Sequence, residues 1–229
     1  MKLVVASLAM LLPIWAADEG GNEPTKRIHE SAVVLGEILH AGDKSIPEDL
    51  LRKAHCVGVV PNLKRAGFIV GAKYGKGVVT CRVGNGEGWS AVSTVRIEGG
   101  SIGFQIGAGE TDVIFIVMNR SGEDRLMKDK FTLGGDASVM AGPVGRSAQA
   151  ETDAMMKAEM LSYSRSHGIF AGVSLEGATL RPDNDDNARI YGRPVTQREV
   201  LHGDVPAPPS ERPLIEELNS YAPFKKTGP

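Results

Sequence analysis

The spacing of glycine constrains the fold of this chain more than any other sequence feature. Of its 28 glycines, 21 lie between Gly58 and Gly177, where they separate short apolar segments rich in β-forming residues. Segments 131–146 and 163–177 show the pattern most clearly. Small residues and β-formers at this density are typical of packed β structure in which backbones approach closely. The pattern predicts a glycine-rich β core, and these two segments contain no set of residues suited to catalysis.

Short strands bounded by glycines are predicted throughout the middle of the chain. Turns are placed at Gly75-Lys76, residues 84–88, Gly99-Gly100 and Gly109-Glu110. Successive short strands favour an antiparallel arrangement that closes into a barrel or a sandwich. The predicted strands are Val57–Val60, Gly67–Tyr74, Gly77–Val83, Trp89–Ile97, Ser101–Ala108, Val113–Met118, 162–167 and 169–176.

Helices are predicted around this β core, so the fold class is α+β. The longest spans Thr25 to His40, where Ile28, Leu35 and Leu39 form part of an apolar stripe. Such a helix either docks on the core or lies in a membrane interface. The other predicted helices are Ser45–Ala54 with Ser45 in a capping box, Ser121–Lys130 with Ser121 as the cap, Glu151–Leu161, and Asn187–Tyr191 after a solvated acidic loop at 183–186.

A chain of 229 residues is within the size of one domain. Residues 1–17 have the pattern of a signal peptide, which predicts export to the periplasm or out of the cell. Residues 18–24 are then a linker, 25–202 a single domain, and 203–229 a Pro-rich, charged tail that is expected to be extended or disordered.

The two cysteines, Cys56 and Cys81, leave two states open. In an oxidising compartment they are able to form a disulfide. The preferred interpretation is that they are two small residues on buried strands, because sequence alone does not supply the geometry that a bridge requires.

The sequence indicates a protein that binds rather than catalyses. The histidines are scattered without metal-ligand spacing, and the glycine-rich stretches do not follow the spacing of nucleotide-binding loops. No cofactor, metal or catalytic residue is therefore predicted, although a hydrolase that uses Ser174 or His167 is kept as a minor alternative. The formal net charge of −2 argues against a nucleic-acid partner.

Charge is distributed unevenly along the chain. Residues 50–86 contain seven Lys or Arg and no Asp or Glu, whereas acids accumulate between Asp183 and Glu217. If several of these cations share one face, they form a patch that attracts an anionic membrane. The alternative is an ordinary solvated basic face. The seven basic residues are Arg52, Lys53, Lys64, Arg65, Lys73, Lys76 and Arg82.

An ordered series of motifs over roughly residues 25–202 resembles the SYLF domain family, also called the yeast-type actin-binding domain. The motifs include Val57-Gly58-Val59-Val60-Pro61, Gly103-Phe104-Gln105-Ile106-Gly107, the segments 131–146 and 163–177, and Ala188-Arg189-Ile190-Tyr191-Gly192.

The resemblance implies a lipid-binding domain, found in yeast and animal endocytic proteins and in exported bacterial proteins. It implies binding of anionic lipids, including phosphatidylinositol lipids, through an N-terminal amphipathic helix and basic residues. The alternative is an envelope scaffold that binds a protein partner through exposed strands or the Pro-rich tail. Carried over to this sequence, the lipid-binding residues are Lys26, Arg27, Lys64, Arg65, Lys73 and Lys76.

Overall fold

The computed structural model describes residues 23–42, 45–68, 70–83, 88–102, 107–144, 157–166 and 169–223. The helices are α1 (Glu23–Leu39), α2 (Glu48–Lys53), α3 (Arg120–Leu126), α4 (Asn184–Tyr191), α5 (Gln197–Leu201), a 3₁₀ turn (Pro209–Glu211) and α6 (Arg212–Tyr221). The strands are β1 (Cys56–Phe68), β2 (Val70–Val83), β3 (Gly88–Trp89), β4 (Ser93–Ile102), β5 (Gly107–Val117), β6 (Phe131–Thr132), β7 (Val139–Ala141), β8 (Met160–Ser166), β9 (Ile169–Gly172) and β10 (Thr179–Pro182).

The strands form one curled sheet, which confirms the predicted α+β class with a largely antiparallel β core. Eight strands follow the order β6-β10-β4-β2-β1-β5-β8-β7, with β3 beside β2 and β9 beside β8. The pairings are antiparallel except that of β7 with β8. The curled sheet has the shape of a half-barrel flanked by helices in a single domain.

Each face of the sheet carries its own apolar core, because alternate residues of a strand point to opposite faces. On the helix-covered face, Val57, Val78 and Ile114 pack with the apolar residues of α1, α2 and α6. On the loop-covered face, Val79 and Phe115 lie in a second cluster with residues from 126–139 and 175–180. A residue's position along a strand therefore determines which of the two cores its side chain packs into.

The strands are longer than the sequence predicts, and three predicted turns are wrong. Gly75-Lys76, Gly99-Gly100 and Gly109-Glu110 lie inside β2, β4 and β5. The glycine at position 77 shows the physical reason, because a Cβ atom there would lie 2.1 Å from the carbonyl oxygen of Val59 on the neighbouring strand. Such glycines permit close approach within the sheet rather than a reversal of the chain.

Helix ends differ from the predictions where a different residue provides the cap. The second helix begins at Glu48 after Pro47, with no side-chain cap, so the predicted capping box at Ser45 is wrong. Asn119 caps α3 by accepting a hydrogen bond from the Gly122 amide, in place of Ser121. The Ser121 hydroxyl instead hydrogen-bonds the Glu159 carboxylate.

The predicted helix over 151–161 is replaced at its end by a strand. Met160 and Leu161 belong to β8, and residues 151–156 lie outside the described part of the chain. The predicted solvated loop at 183–186 is also wrong. Its residues 184–186 form the first turn of α4, and Asp183 and Asp186 are buried.

The segment after residue 202 is not an extended tail over its described length. Residues 209–221 form the 3₁₀ turn and α6, with Leu214 and Leu218 buried in the core of the helix-covered face. The Arg82 guanidinium donates a hydrogen bond of 3.0 Å to the Ala222 carbonyl oxygen, which ties the end of α6 to the sheet. The expected disorder is therefore wrong for residues 209–221, because their apolar side chains have a core to fill.

Cys56 and Cys81 form a disulfide, so the preferred prediction of two unbridged cysteines is wrong. The two residues lie directly opposite each other on β1 and β2. Both are fully buried in the core of the loop-covered face. The register of the two strands, which sequence spacing does not reveal, brings the cysteines together.

Candidate functional site: the end of the β1–β2 hairpin

The structure does not bring the six predicted lipid-binding residues onto one surface. Lys26 lies on α1 with its side chain 76% exposed, and its ammonium is 3.5 Å from the Glu30 carboxylate. Lys64 lies near the end of β1, where its ammonium is 3.9 Å from the Glu110 carboxylate. The remaining four form two pairs with very different surroundings.

Arg27 and Lys76 belong to a buried ion cluster under α1. The Asp186 carboxylate accepts hydrogen bonds from the Arg27 guanidinium at 2.7 Å and from the Lys76 ammonium at 3.0 Å. The Lys76 ammonium is also 2.8 Å from the Asp183 carboxylate. Arg189 approaches the second Asp186 oxygen at 3.1 Å. Two of the predicted lipid-binding cations are therefore already neutralised by carboxylates of α4 and the residue before it.

The protonation equilibria of this cluster agree with tight pairing. Burial alone would raise the pKa of Asp186, but hydrogen bonds from Lys76 and Arg27 lower it below its usual value. Burial alone would lower the pKa of Lys76, but its hydrogen bonds to Asp183 and Asp186 raise it. Both shifts stabilise the charged forms, so Asp186 and Lys76 are both ionised at neutral pH.

The N-terminal helix α1 is docked on the sheet in this structure. Its apolar stripe, including Ile28, Leu35 and Leu39, is buried in the core of the helix-covered face. Arg27 fixes one end of the helix to α4. Near the other end, Glu37 pairs with Arg165, which also binds Asp112 on β5. The stripe that suggested a membrane helix from sequence therefore has an internal partner.

Arg65 and Lys73 form the second pair, and they face each other across β1 and β2. Their outer neighbours in the sheet are glycines, Gly109 on β5 and Gly99 on β4. Among the residues that the structure describes, no carboxylate forms an ion pair with either side chain, and the Nε atom of Arg65 has no hydrogen-bond partner. Partial burial and, to a smaller extent, Arg65 lower the pKa of Lys73. Like charges directly opposite each other destabilise a sheet, so this pair is electrostatically unfavourable in the unliganded domain.

Replacing Lys73 with glutamine is expected to stabilise the unliganded domain by about 0.2–1 kcal/mol, because it removes a like-charge cross-strand pair. Urea unfolding at pH 7 would measure the change. Lys64→Gln is the control, since Lys64 is well exposed and loosely paired. A destabilised Lys73→Gln variant would show that the ammonium has a stabilising partner in the fold.

One feature of this site was missed from the sequence. Tyr74 follows Lys73, pairs with Lys64 across the strands, and is 44% exposed. Of Lys64, Arg65 and Lys73, only Lys64 shares its face of the sheet, and an aromatic residue with that exposure is typical of a surface that meets a polar–apolar boundary. The alternation of side chains along β2 would have indicated the exposure of Tyr74 only if the strand had been predicted to continue through Gly75-Lys76, where a turn was predicted instead.

Comparison with known proteins identifies the class of protein that carries this fold. The sequence profile of the family described as "Ysc84: Las17-binding protein actin regulator" matches residues 98–221. The chain belongs to the Ysc84 family, whose domain is the SYLF domain. Its relatives are named as binding or regulatory proteins rather than as enzymes.

Two relatives illustrate the extent of the similarity. SH3 domain-containing YSC84-like protein 1 of Rattus norvegicus is 37% identical over 180 residues, which cover 78% of this chain and 52% of the relative. LAS seventeen-binding protein 3 of Saccharomyces cerevisiae is 37% identical over 213 residues, which cover 92% of this chain and 46% of the relative. The chain thus spans about half the length of the curated relatives that it matches.

The predicted periplasmic or secreted location is wrong. The matched relatives are proteins of mammals and of budding and fission yeast, and their family is described as an actin regulator, which conflicts with a periplasmic or secreted protein. The predicted signal peptide at residues 1–17 lies outside the described part of the chain. Within the described part, no helix combines the length and apolar character needed to cross a bilayer.

Proposed function

We propose that this domain is a non-catalytic binding module for anionic membrane surfaces and that it binds through Lys64, Arg65 and Lys73, here called the hairpin cations. The observation that supports this most strongly is the Arg65–Lys73 pair, in which two cations face each other with no ion-pair partner among the described residues. An array of lipid phosphates would supply the missing negative charge. Neither Arg27 nor Lys76 is part of this surface, because both are bound within the fold.

The expected strength of binding is modest. Each Lys or Arg close to an anionic membrane contributes roughly 1 kcal/mol, so the hairpin cations together contribute about 3 kcal/mol. Binding of this kind is reversible and weakens as salt screens the charges. Exposed cations such as Lys26 add to the attraction only if they face the same surface.

Co-sedimentation with vesicles tests the proposal. We expect the protein to bind vesicles that contain phosphatidylserine or a phosphoinositide, to ignore neutral phosphatidylcholine vesicles, and to bind less at physiological salt than at low salt. Absence of binding to anionic vesicles at low salt would contradict the proposed function.

A protein partner is the second candidate, and the names of the relatives favour it. They describe binding to LAS seventeen and regulation of actin. Co-sedimentation with actin filaments, without lipid, would test this candidate. Binding to filaments but not to vesicles would place the function with a protein surface rather than a membrane.

A further inference from the structure

A proline-rich segment crosses the surface of the domain between α5 and α6. Residues 206–209 read Pro-Ala-Pro-Pro, and we call them the proline strap. Pro206, Ala207 and Pro209 are exposed, and Pro208 is partly buried. The strap belongs to no strand, and only its last residue takes part in the 3₁₀ turn that precedes α6. Three of its four residues are therefore open to a partner.

The local sequence favours the polyproline II conformation for the strap. Proline has its φ angle fixed at about −65°, and a residue that precedes proline is confined to the extended region. Val205, Ala207 and Pro208 each precede a proline. Pro208 has φ −71° and ψ 145°, which are the angles of polyproline II. Sequence and structure thus both indicate a polyproline II segment that exists before any partner binds.

The chain on either side of the strap is fixed to the body of the domain. Val205 is buried in an apolar cluster with Ala91 and Val200. Beyond the other end, the Glu211 carboxylate is buried and accepts a hydrogen bond of 2.8 Å from the Val92 amide. A segment that is held at both ends loses little conformational freedom on binding, and such preorganisation favours affinity.

The strap presents the groups that a polyproline II groove recognises. Polyproline II has three residues per turn and a rise of about 3.1 Å, so Pro206 and Pro209 project from the same edge about 9 Å apart. The carbonyl oxygens of Pro206 and Ala207 accept no hydrogen bond from the described residues. Arg212, three residues after Pro209, is exposed and adds a cation at one end. SH3 domains bind prolines with this Pro-x-x-Pro spacing in a groove lined by aromatic residues, and acidic side chains beside the groove bind a flanking cation.

We propose that the proline strap is a docking site for an SH3 domain, with Pro206 and Pro209 in its aromatic-lined groove and Arg212 at its acidic rim. The strap lies outside the β1–β2 hairpin. This interaction is therefore separate from the proposed membrane binding and does not depend on it.

Fluorescence anisotropy with an array of purified, labelled SH3 domains tests the proposal on the full chain. The array includes the SH3 domain of SH3 domain-containing YSC84-like protein 1. At least one domain is expected to bind, and replacing an aromatic residue of its groove with alanine is expected to abolish binding. The variant Pro206→Ala plus Pro209→Ala is expected to bind that domain at least about tenfold more weakly. The control is Pro194→Ala, which replaces an exposed proline outside the strap and is expected to bind like the unmodified protein.

A second measurement does not depend on the stability of the double variant. The methyl resonance of Ala207 is expected to shift during titration with the binding SH3 domain, whereas that of Ala171, exposed on β9, is expected to stay in place. Three results would each overturn the proposal: no binding to any domain of the array, undiminished affinity of the double variant, or binding without a shift at Ala207.

Discussion

Replacing Asp186 with alanine is expected to lower the free energy of unfolding by about 3–5 kcal/mol. The fully buried Asp186 carboxylate is bound by Arg27 and Lys76, and Arg27 is itself almost fully buried. Removing the carboxylate leaves the buried Arg27 guanidinium with only the exposed Glu23 carboxylate, 3.8 Å away, which costs far more than the loss of a surface pair. Urea unfolding at pH 7 would measure the difference.

The pH dependence of the same variant gives an independent check. The pKa of Asp186 is lowered in the folded protein, so its stabilising contribution is complete above the ordinary carboxyl range and disappears as the pH falls through the folded value. The gap between the unmodified protein and Asp186→Ala should therefore shrink below about pH 4. Asp185→Ala is the matched control, because Asp185 is exposed in the same helical turn. Equal stability of the two variants would contradict the buried cluster.

Replacing Gly77 with alanine is expected to destabilise the domain by about 3 kcal/mol or more, near the upper end of overpacking effects. The added Cβ atom would lie 2.1 Å from the Val59 carbonyl oxygen and 2.7 Å from the Cα atom of Val60. Both are backbone atoms of the central strand β1, which cannot rotate away as a side chain can. The thermal unfolding midpoint and urea unfolding would both report the loss.

Gly109→Ala provides the control for this prediction. A Cβ atom at Gly109 would meet no atom within 4 Å, so its replacement should change stability by no more than about 0.5 kcal/mol. Equal stability of the Gly77→Ala and Gly109→Ala variants would contradict the close approach of the β1 and β2 backbones at Gly77.

The fold class could be predicted from the sequence because it depends on local patterns of apolar residues and glycines. Apolar runs between glycines correctly predicted a β core, and the stripe of Ile28, Leu35 and Leu39 correctly predicted α1. The role of individual glycines did not follow, since a turn glycine and a close-packing glycine have similar neighbours in sequence. Gly77 differs from a turn residue only through Val59 on the adjacent strand.

The candidate site was predictable only in part, for a related reason. The acid-free stretch predicted a cluster of cations, and Lys64, Arg65 and Lys73 do lie close together on the β1–β2 hairpin. The partner of Arg27 and Lys76 is Asp186, which is 159 and 110 residues away from them. A count of local charge cannot show that distant acids neutralise two of the cations.

The C-terminal helix is a case in which the sequence held a signal that was not used. Leu214 and Leu218 are spaced by four residues, and Pro213 lies at the start of α6, where proline is well tolerated. The stretch of prolines at 206–209 suggested disorder for everything that follows it. Two apolar residues with helical spacing after a proline indicate a helix that docks on the core. That local pattern is stronger evidence than the proline-rich composition of the preceding residues, which suggested a disordered tail.

The binding of charge-reversed variants to phosphatidylserine vesicles tests the central claim most directly. Lys64→Glu plus Arg65→Glu reverses two hairpin cations, and Lys128→Glu plus Lys130→Glu makes the same change in net charge at two exposed lysines after α3. With both folds intact by circular dichroism, we expect the first variant to bind at least about thirtyfold more weakly than the unmodified protein at low salt. The second is expected to lose little. Equal losses in the two variants would show that only net charge matters and would contradict a binding surface at the end of the β1–β2 hairpin.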